Sequence, residues 1–197
     1  MSDIWLITGG CRSGKSMYAE ELSKEKSASE EKKGAKGRSG VLYIATGVAM
    51  DEEMEERIMI HRERRPEEWI TWERYQGLDE IEDQFEINDF GTIMLDCIGN
   101  MLMGILFDEE PDADVCTEKQ FTEAEKTAEA EIDALCDYAA KYDKRLIFVT
   151  NEIGMGVVPD TRYSRHFRDS LGRVNIHTGK VADKVVLMTS GLPITLK

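Results

Sequence analysis

The chain has 197 residues, a length that fits one α/β domain, and its 41% apolar residues suffice for a sizeable core. Its 25 basic and 39 acidic side chains give a net charge of −14; this repels a polyphosphate backbone and argues against general nucleic-acid binding, while a small anion can still bind where cations cluster. No apolar stretch approaches the ~18 residues of a membrane span, no secretory leader is expected, and the four cysteines (11, 97, 116 and 136) lack CxxC or zinc-ligand spacing, so reduced thiols in the cytoplasm are expected.

In chain order, Ile4-Trp5-Leu6-Ile7 is a short apolar run followed by Gly9-Gly10, which predicts a buried strand feeding a tight turn. A helix is expected from Lys15 to about Lys24, and residues 24–40, charged and low in complexity, read as its frayed end plus a mobile loop. A second strand covers Val41 to Ala45 and ends at Thr46-Gly47. Asp51 to Arg64 predicts an amphipathic helix with acids in its first turn and arginines in its last, stopped by Pro66. A short strand at Trp69–Glu73 and a helix at Leu78–Phe85 follow.

Thr92 to Asp96 reads as a third buried strand with an acid at its end. Helix is expected over 97–107, an acidic loop over 108–114, and a long helix from Thr117 to Tyr142 with Ile132, Leu135 and Ala139 on one face. Arg145–Thr150 is a fourth strand, Arg162–Leu171 and Arg173–Ala182 are two helical stretches, Lys184–Met188 is a fifth strand, and Ile194–Leu196 adds an edge. Buried strands alternating with helices predict an α/β fold: a mostly parallel sheet with helices on both faces, in a single domain over 1–197. The site is then expected beyond the carboxyl ends of the strands, at Gly9, Thr46, Asp96 and Thr150-Asn151-Glu152.

Gly9-Gly10-Cys11-Arg12-Ser13-Gly14-Lys15-Ser16 matches the phosphate-loop pattern in full. Glycines let the backbone curl so that successive N–H groups face phosphate oxygens, and the following helix adds the positive end of its dipole. Lys15 is expected to reach the β- and γ-phosphates and Ser16 to bind Mg²⁺. Asp96 stands where an acid would hold that metal; the alternative is a helix cap. Glu73 and Glu152 are weaker candidates. Cys11 reads as a small residue filling the loop, with oxidation sensitivity as the alternative.

His61 lies among Arg57, Arg62, Arg64 and Arg65, and helical spacing puts Met54, Arg57, Ile58 and His61 on one face. Neighbouring cations favour a neutral imidazole, which could attack phosphorus or act as a base, while the arginines neutralise a polyphosphate. A packed histidine beside a solvated basic helix end fits the spacing equally well. His166, in Ser164-Arg165-His166-Phe167-Arg168, is a possible phosphate or supporting contact, and His177 reads as a surface residue.

Taken together these residues resemble the bifunctional adenosylcobinamide kinase / adenosylcobinamide-phosphate guanylyltransferase family. The resemblance rests on Thr8-Gly9-Gly10-x-Arg12-Ser13-Gly14-Lys15-Ser16, Tyr43-Ile44-Ala45-Thr46, Asp51-x-Glu53-Met54-x-x-Arg57-Ile58-x-x-His61-Arg62, Arg65-Pro66-x-x-Trp69, Thr71-x-Glu73 and Leu95-Asp96-Cys97. It continues through Thr150-Asn151-Glu152-x-Gly154-x-Gly156-x-Val158-Pro159, Arg165-His166-Phe167-Arg168-Asp169-x-x-Gly172-Arg173-Val174-Asn175 and Ala182-Asp183-x-Val185. It implies a RecA-like phosphate-loop fold, a homotrimer, and two reactions of cobalamin assembly. In the first, ATP or GTP phosphorylates adenosylcobinamide; in the second, GTP transfers GMP to that phosphate, giving adenosylcobinamide-GDP and pyrophosphate. The family's guanylylated histidine matches His61. Its nucleotide contacts match Gly9 through Ser16, Ala45-Thr46-Gly47, Arg62-Glu63-Arg64-Arg65, Glu73 and Asp96, with Ser16 and Asp96 on Mg²⁺. The chain departs from the family in a longer 24–40 segment, in Ile98-Gly99-Asn100-Met101, and from Ile176 to Lys180.

Two other classes remain in view. The phosphate loop and Asp96 alone describe a small-molecule kinase. A nucleotide-dependent binding switch is disfavoured by the lack of an Asn-Lys-x-Asp guanine-reading sequence.

Overall fold

Side chains alternate across a strand, so a buried sheet sorts its apolar residues onto two faces. That sorting is visible in the computed structural model, which describes residues 3–32, 40–47, 59, 65–109 and 115–197, with backbone alone for 26–32 and 109. Seven strands form one sheet: β1 (Asp3–Gly9), β2 (Val41–Ala45), β3 (Ile70–Glu73), β4 (Thr92–Asp96), β5 (Arg145–Val149), β6 (Lys184–Thr189) and β7 (Leu192–Thr195). Their order is β3-β2-β4-β5-β1-β6-β7. All neighbours are parallel except β6 and β7.

Helix α1 (Lys15–Lys32) covers one face, burying Ala19 and Leu22 against Ile7, Val41, Tyr43, Met94, Ile147, Val149, Val186 and Met188. The other face carries Leu6, Leu42, Ile44, Ile93, Leu95, Leu146 and Phe148. It is covered by α3 (Ile98–Glu109), α4 (Glu118–Lys141) and α5 (Arg162–Val181). A 3₁₀ turn (Leu78–Glu80) and the single-turn α2 (Ile81–Gln84) close the β3 end, where the Glu131 carboxylate accepts from the N–H groups of Gly77 and Leu78, each at 2.6 Å.

The long helices start on side-chain caps, which satisfy otherwise orphaned N–H groups. Thr117 and Gln120 cap α4 reciprocally: Thr117 N–H donates to Gln120 Oε1 at 2.9 Å and Gln120 N–H to Thr117 Oγ1 at 3.4 Å. Thr161 Oγ1 accepts from Ser164 N–H at 3.1 Å and starts α5. Between these two helices, Glu125 accepts from Ser170 Oγ (2.6 Å), Arg173 Nε (2.8 Å) and Arg173 Nη2 (2.6 Å).

Three expectations are corrected. Helix α1 does not end near Lys24 but continues to Lys32. Residues 24–32 are all Lys, Glu, Ala or Ser, and the lysines, glutamates and alanine favour helix whatever the complexity. The two helical stretches at 162–171 and 173–182 are one helix, because Gly172 costs about 1 kcal/mol in a helix interior while burial of Leu171 and Val174 contributes about 3 kcal/mol or more. Helix α3 also runs to Glu109, two residues beyond the expected end at 107. The rest of the 24–40 loop (33–39), the acidic 110–114 stretch and the expected 51–64 helix, apart from the helical Met59, lie outside the described residues.

One strand, β5, separates the strand that carries the glycine loop (β1) from the strand that ends in Asp96 (β4). Register places Glu73, Ala45, Asp96 and Val149 in a single row across β3, β2, β4 and β5. The site residues therefore gather along one edge of the sheet.

Candidate nucleotide site

The glycine loop curls because three of its residues lie at positive φ: Gly9 at 149°, Arg12 at 56° and Gly14 at 97°. At Gly9 a side chain is excluded outright, since a Cβ would come within 2.4 Å of the Met188 carbonyl oxygen. The curl is braced from both sides. Glu152 N–H donates to Gly9 O at 2.9 Å, and Gly191 N–H, from the β6–β7 turn, donates to Ser13 O at 3.1 Å.

Inside this cradle Lys15 is 8% exposed and lies across the loop, its Nζ donating to Gly10 O at 2.7 Å. Burial lowers its pKa, and nearby negative groups, Asp96 among them, partly oppose that. The Ser13 hydroxyl is enclosed and has no hydrogen-bond partner among the described residues. An enclosed donor without an acceptor is costly, and a phosphate oxygen would supply one.

Asp96 is not a helix cap. Its Oδ2 accepts from the Tyr43 hydroxyl at 2.9 Å. The residue just before α3 is Cys97, whose sulfur faces the backbone N–H groups of Gly99 and Asn100. Burial, with Asp96 adjacent, pushes the Cys97 thiol up to about 12, so it stays protonated. Burial, with the same carboxylate beside it, also raises the Tyr43 phenol well above 10.0, so Tyr43 acts as a donor. Thr46 follows β2 and is fully buried, its hydroxyl tied to the Cys97 backbone. Ala45 O accepts from Arg74 N–H at 3.0 Å and Thr46 N–H reaches Asp96 O at 3.4 Å, which leaves Gly47 at the rim.

Arg65 stacks on Tyr43, with Cζ 3.8 Å from the ring centroid. Its Nε and Nη1 are buried and have no hydrogen-bond partner among the described residues. Glu73 is exposed at the end of β3 and is engaged in an interaction of its own. Glu152 turns its carboxylate back onto Gly154 N–H at 2.6 Å. His61, Arg62, Glu63 and Arg64 lie outside the described residues, as does Arg57.

Elsewhere, His166 stacks on Phe121 at 5.4 Å and its Nε2 accepts from Arg162 Nε at 3.2 Å. His177 bonds Asp133 at 2.8 Å, linking α5 to α4. Cys11 is exposed, as expected for a loop residue, and carries no disulfide.

Sequence reasoning placed Thr46 at the site but missed three links that shape it: the Tyr43–Asp96 bond, the Thr46–Cys97 bonds and the Gly191 brace. A signal existed for Tyr43, since a phenol in an otherwise aliphatic buried strand needs a partner for its O–H. No sequence signal marks Gly191, whose link to Ser13 is purely tertiary.

Among the described residues no three His, Cys, Asp or Glu side chains cluster as a metal cage. One carboxylate (Asp96) and one hydroxyl (Ser16) next to a phosphate cradle suit instead a hard cation that keeps waters and takes phosphate oxygens. No described helix is long and apolar enough to cross a membrane.

Comparison with known proteins agrees with this geometry. The family model for cobinamide kinase / cobinamide phosphate guanyltransferase matches residues 5–196. The chain is 41% identical over 192 residues to the bifunctional adenosylcobalamin biosynthesis protein CobU of Escherichia coli, covering 98% of each chain. It is 35% identical over 196 residues to the protein of the same name from Salmonella typhimurium, again covering 98% of each. It is 32% identical to the bifunctional adenosylcobalamin biosynthesis protein CobP of Pseudomonas aeruginosa, covering 98% of this chain and 96% of that one. A phosphate cradle, an acid one strand away and a match along nearly the whole chain lead to one assignment: the protein belongs to the cobinamide kinase / cobinamide phosphate guanyltransferase family.

Proposed function

We propose that this chain performs both reactions for which its family is named, on the adenosylated corrinoid that its relatives' names indicate. In the first, a hydroxyl of adenosylcobinamide attacks the γ-phosphorus of ATP or GTP, an O–P bond forms, and the nucleoside diphosphate leaves. In the second, a neutral His61 nitrogen attacks the α-phosphorus of GTP, forming an N–P bond and displacing pyrophosphate. An oxygen of the corrinoid phosphate then attacks the same phosphorus, restoring the imidazole and giving adenosylcobinamide-GDP. Splitting one displacement into two is the use of a covalent histidine.

The observation that supports this most is the braced glycine loop with Lys15 inside it, together with the Ser13 hydroxyl and the Arg65 Nε and Nη1, which are enclosed without a hydrogen-bond partner among the described residues. Loop N–H groups and Lys15 bind and orient the polyphosphate, and Arg65 balances its charge. Ser16 and Asp96 would hold Mg²⁺, which when bound neutralises charge on the phosphate oxygens. The resemblance also supports a cytoplasmic homotrimer, which sedimentation equilibrium at three times the chain mass would test.

Mass spectrometry after incubation with GTP and Mg²⁺ tests the covalent step. A GMP adduct on His61, absent from His61→Ala, is the expected result. No adduct on the wild type, or the same adduct on the variant, defeats it.

A further inference from the structure

Tyr43 touches two groups of the site, Asp96 and Arg65. Its hydroxyl donates to Asp96 Oδ2 at 2.9 Å, and no other described side chain bonds that carboxylate. One carboxylate oxygen is thereby fixed and the other is left for a metal ion or its water. The face of the same ring carries Arg65, with Cζ at 3.8 Å from the centroid. The ring is itself held in place: Tyr43 is 3% exposed in the α1-side core, and Trp69 packs against it at 6.3 Å. Trp69 and Arg65 flank the turn at Pro66, which the Trp69 N–H to Pro66 O bond closes at 3.1 Å.

Stacking places a guanidinium without satisfying its N–H groups. Arg65 Nε and Nη1 are buried without a hydrogen-bond partner among the described residues, so an arginine otherwise free to swing is kept in place and ready for an anion. A rigid phenol between an acid and a cation sets their separation, as required of a group that supports residues holding a metal–polyphosphate pair.

We propose that Tyr43 is a positioning residue of the nucleotide site: its hydroxyl aims Asp96 at the metal side of a bound nucleoside triphosphate, and its ring aims Arg65 at the phosphate side. The proposal rests on the reading that the nucleotide sits on the glycine loop. The two halves of the residue separate cleanly, because phenylalanine removes only the hydroxyl and leucine removes the hydroxyl and the stacking face.

The test is equilibrium binding on the full-length protein, with GTP titrated in EDTA and Mn²⁺ titrated by electron paramagnetic resonance in the presence of GTP. Tyr43→Phe is expected to keep the metal-free GTP affinity within about twofold while weakening Mn²⁺ binding about tenfold. Tyr43→Leu is expected to weaken metal-free GTP binding as well, by about threefold to tenfold. Wild-type Mn²⁺ affinity in the phenylalanine variant overturns the role of the hydroxyl and leaves the nucleotide site standing. Wild-type metal-free affinity in a folded leucine variant overturns the role of the ring. A wild-type protein that binds no GTP overturns both the site and the proposal. The phenylalanine variant, which keeps the packing, decides the role of the hydroxyl even if the leucine variant fails to fold.

Discussion

The Thr46 hydroxyl and the Cys97 backbone hold each other through two hydrogen bonds: Thr46 Oγ1 donates to Cys97 O at 2.7 Å and accepts from Cys97 N–H at 2.8 Å. This pair joins the end of β2 to the residue after Asp96 and so fixes where the acid stands. Thr46 is 0% exposed, so water cannot replace either bond. Thr46→Val keeps the shape and strands two buried backbone groups, and should cost about 2–4 kcal/mol in urea unfolding. Thr46→Ser, which retains the hydroxyl, should recover most of that and the metal-dependent nucleotide affinity with it.

Gly9 tolerates no side chain. Its φ of 149° and the 2.4 Å approach of a Cβ to Met188 O mean that alanine must push β1 away from β6. Gly9→Ala should destabilise by about 2 kcal/mol or more and abolish GTP binding. Wild-type affinity in calorimetric titration of a folded Gly9→Ala protein would contradict this account of the loop.

Lys15 sets stability against function. Burial lowers its pKa below 10.5, so the folded state binds this proton less well than the unfolded chain does. Stability should therefore rise with pH between the lowered folded value and 10.5. Lys15→Met removes that rise and leaves the empty protein as stable or more so, while both reactions slow by about 10²–10³-fold. Thermal melts across alkaline pH, paired with turnover assays, check both parts.

Glu125 governs the acid limb. Burial opposes its ionisation, but the bonds from Arg173 and Ser170 outweigh burial and hold the carboxyl below its ordinary 4.5. Its contribution is complete above 4.5 and is lost as pH falls through the lowered folded value. Glu125→Gln should cost about 1–3 kcal/mol at neutral pH and flatten the fall in stability below that range, as read by urea midpoints at stepped pH.

The strands and the phosphate loop could be read from the sequence because each is local: apolar runs end in glycine or an acid, and the glycine pattern carries its own geometry. Helix α5 was misjudged at Gly172 because burial of Leu171 and Val174 on the sheet overrides a local penalty that the sequence shows and the packing hides. Asp96 was correctly placed at a strand end, yet what holds it was not visible. Tyr43 lies 53 positions away along the chain, and only the parallel register of β2 with β4 brings the two together. The same holds for Ser13, whose carbonyl is secured by Gly191 from the last turn of the sheet.

That last bond has a consequence for how the protein is made. The glycine motif is synthesised well before the β6–β7 turn that completes its shape once β6 has joined β1. A nascent chain with its final strands still inside the ribosome carries the whole motif and no finished cradle. Such distant pairing is slow to form. Competence to bind nucleotide should thus arrive late and abruptly during synthesis, as the hairpin docks, rather than growing in proportion to chain length.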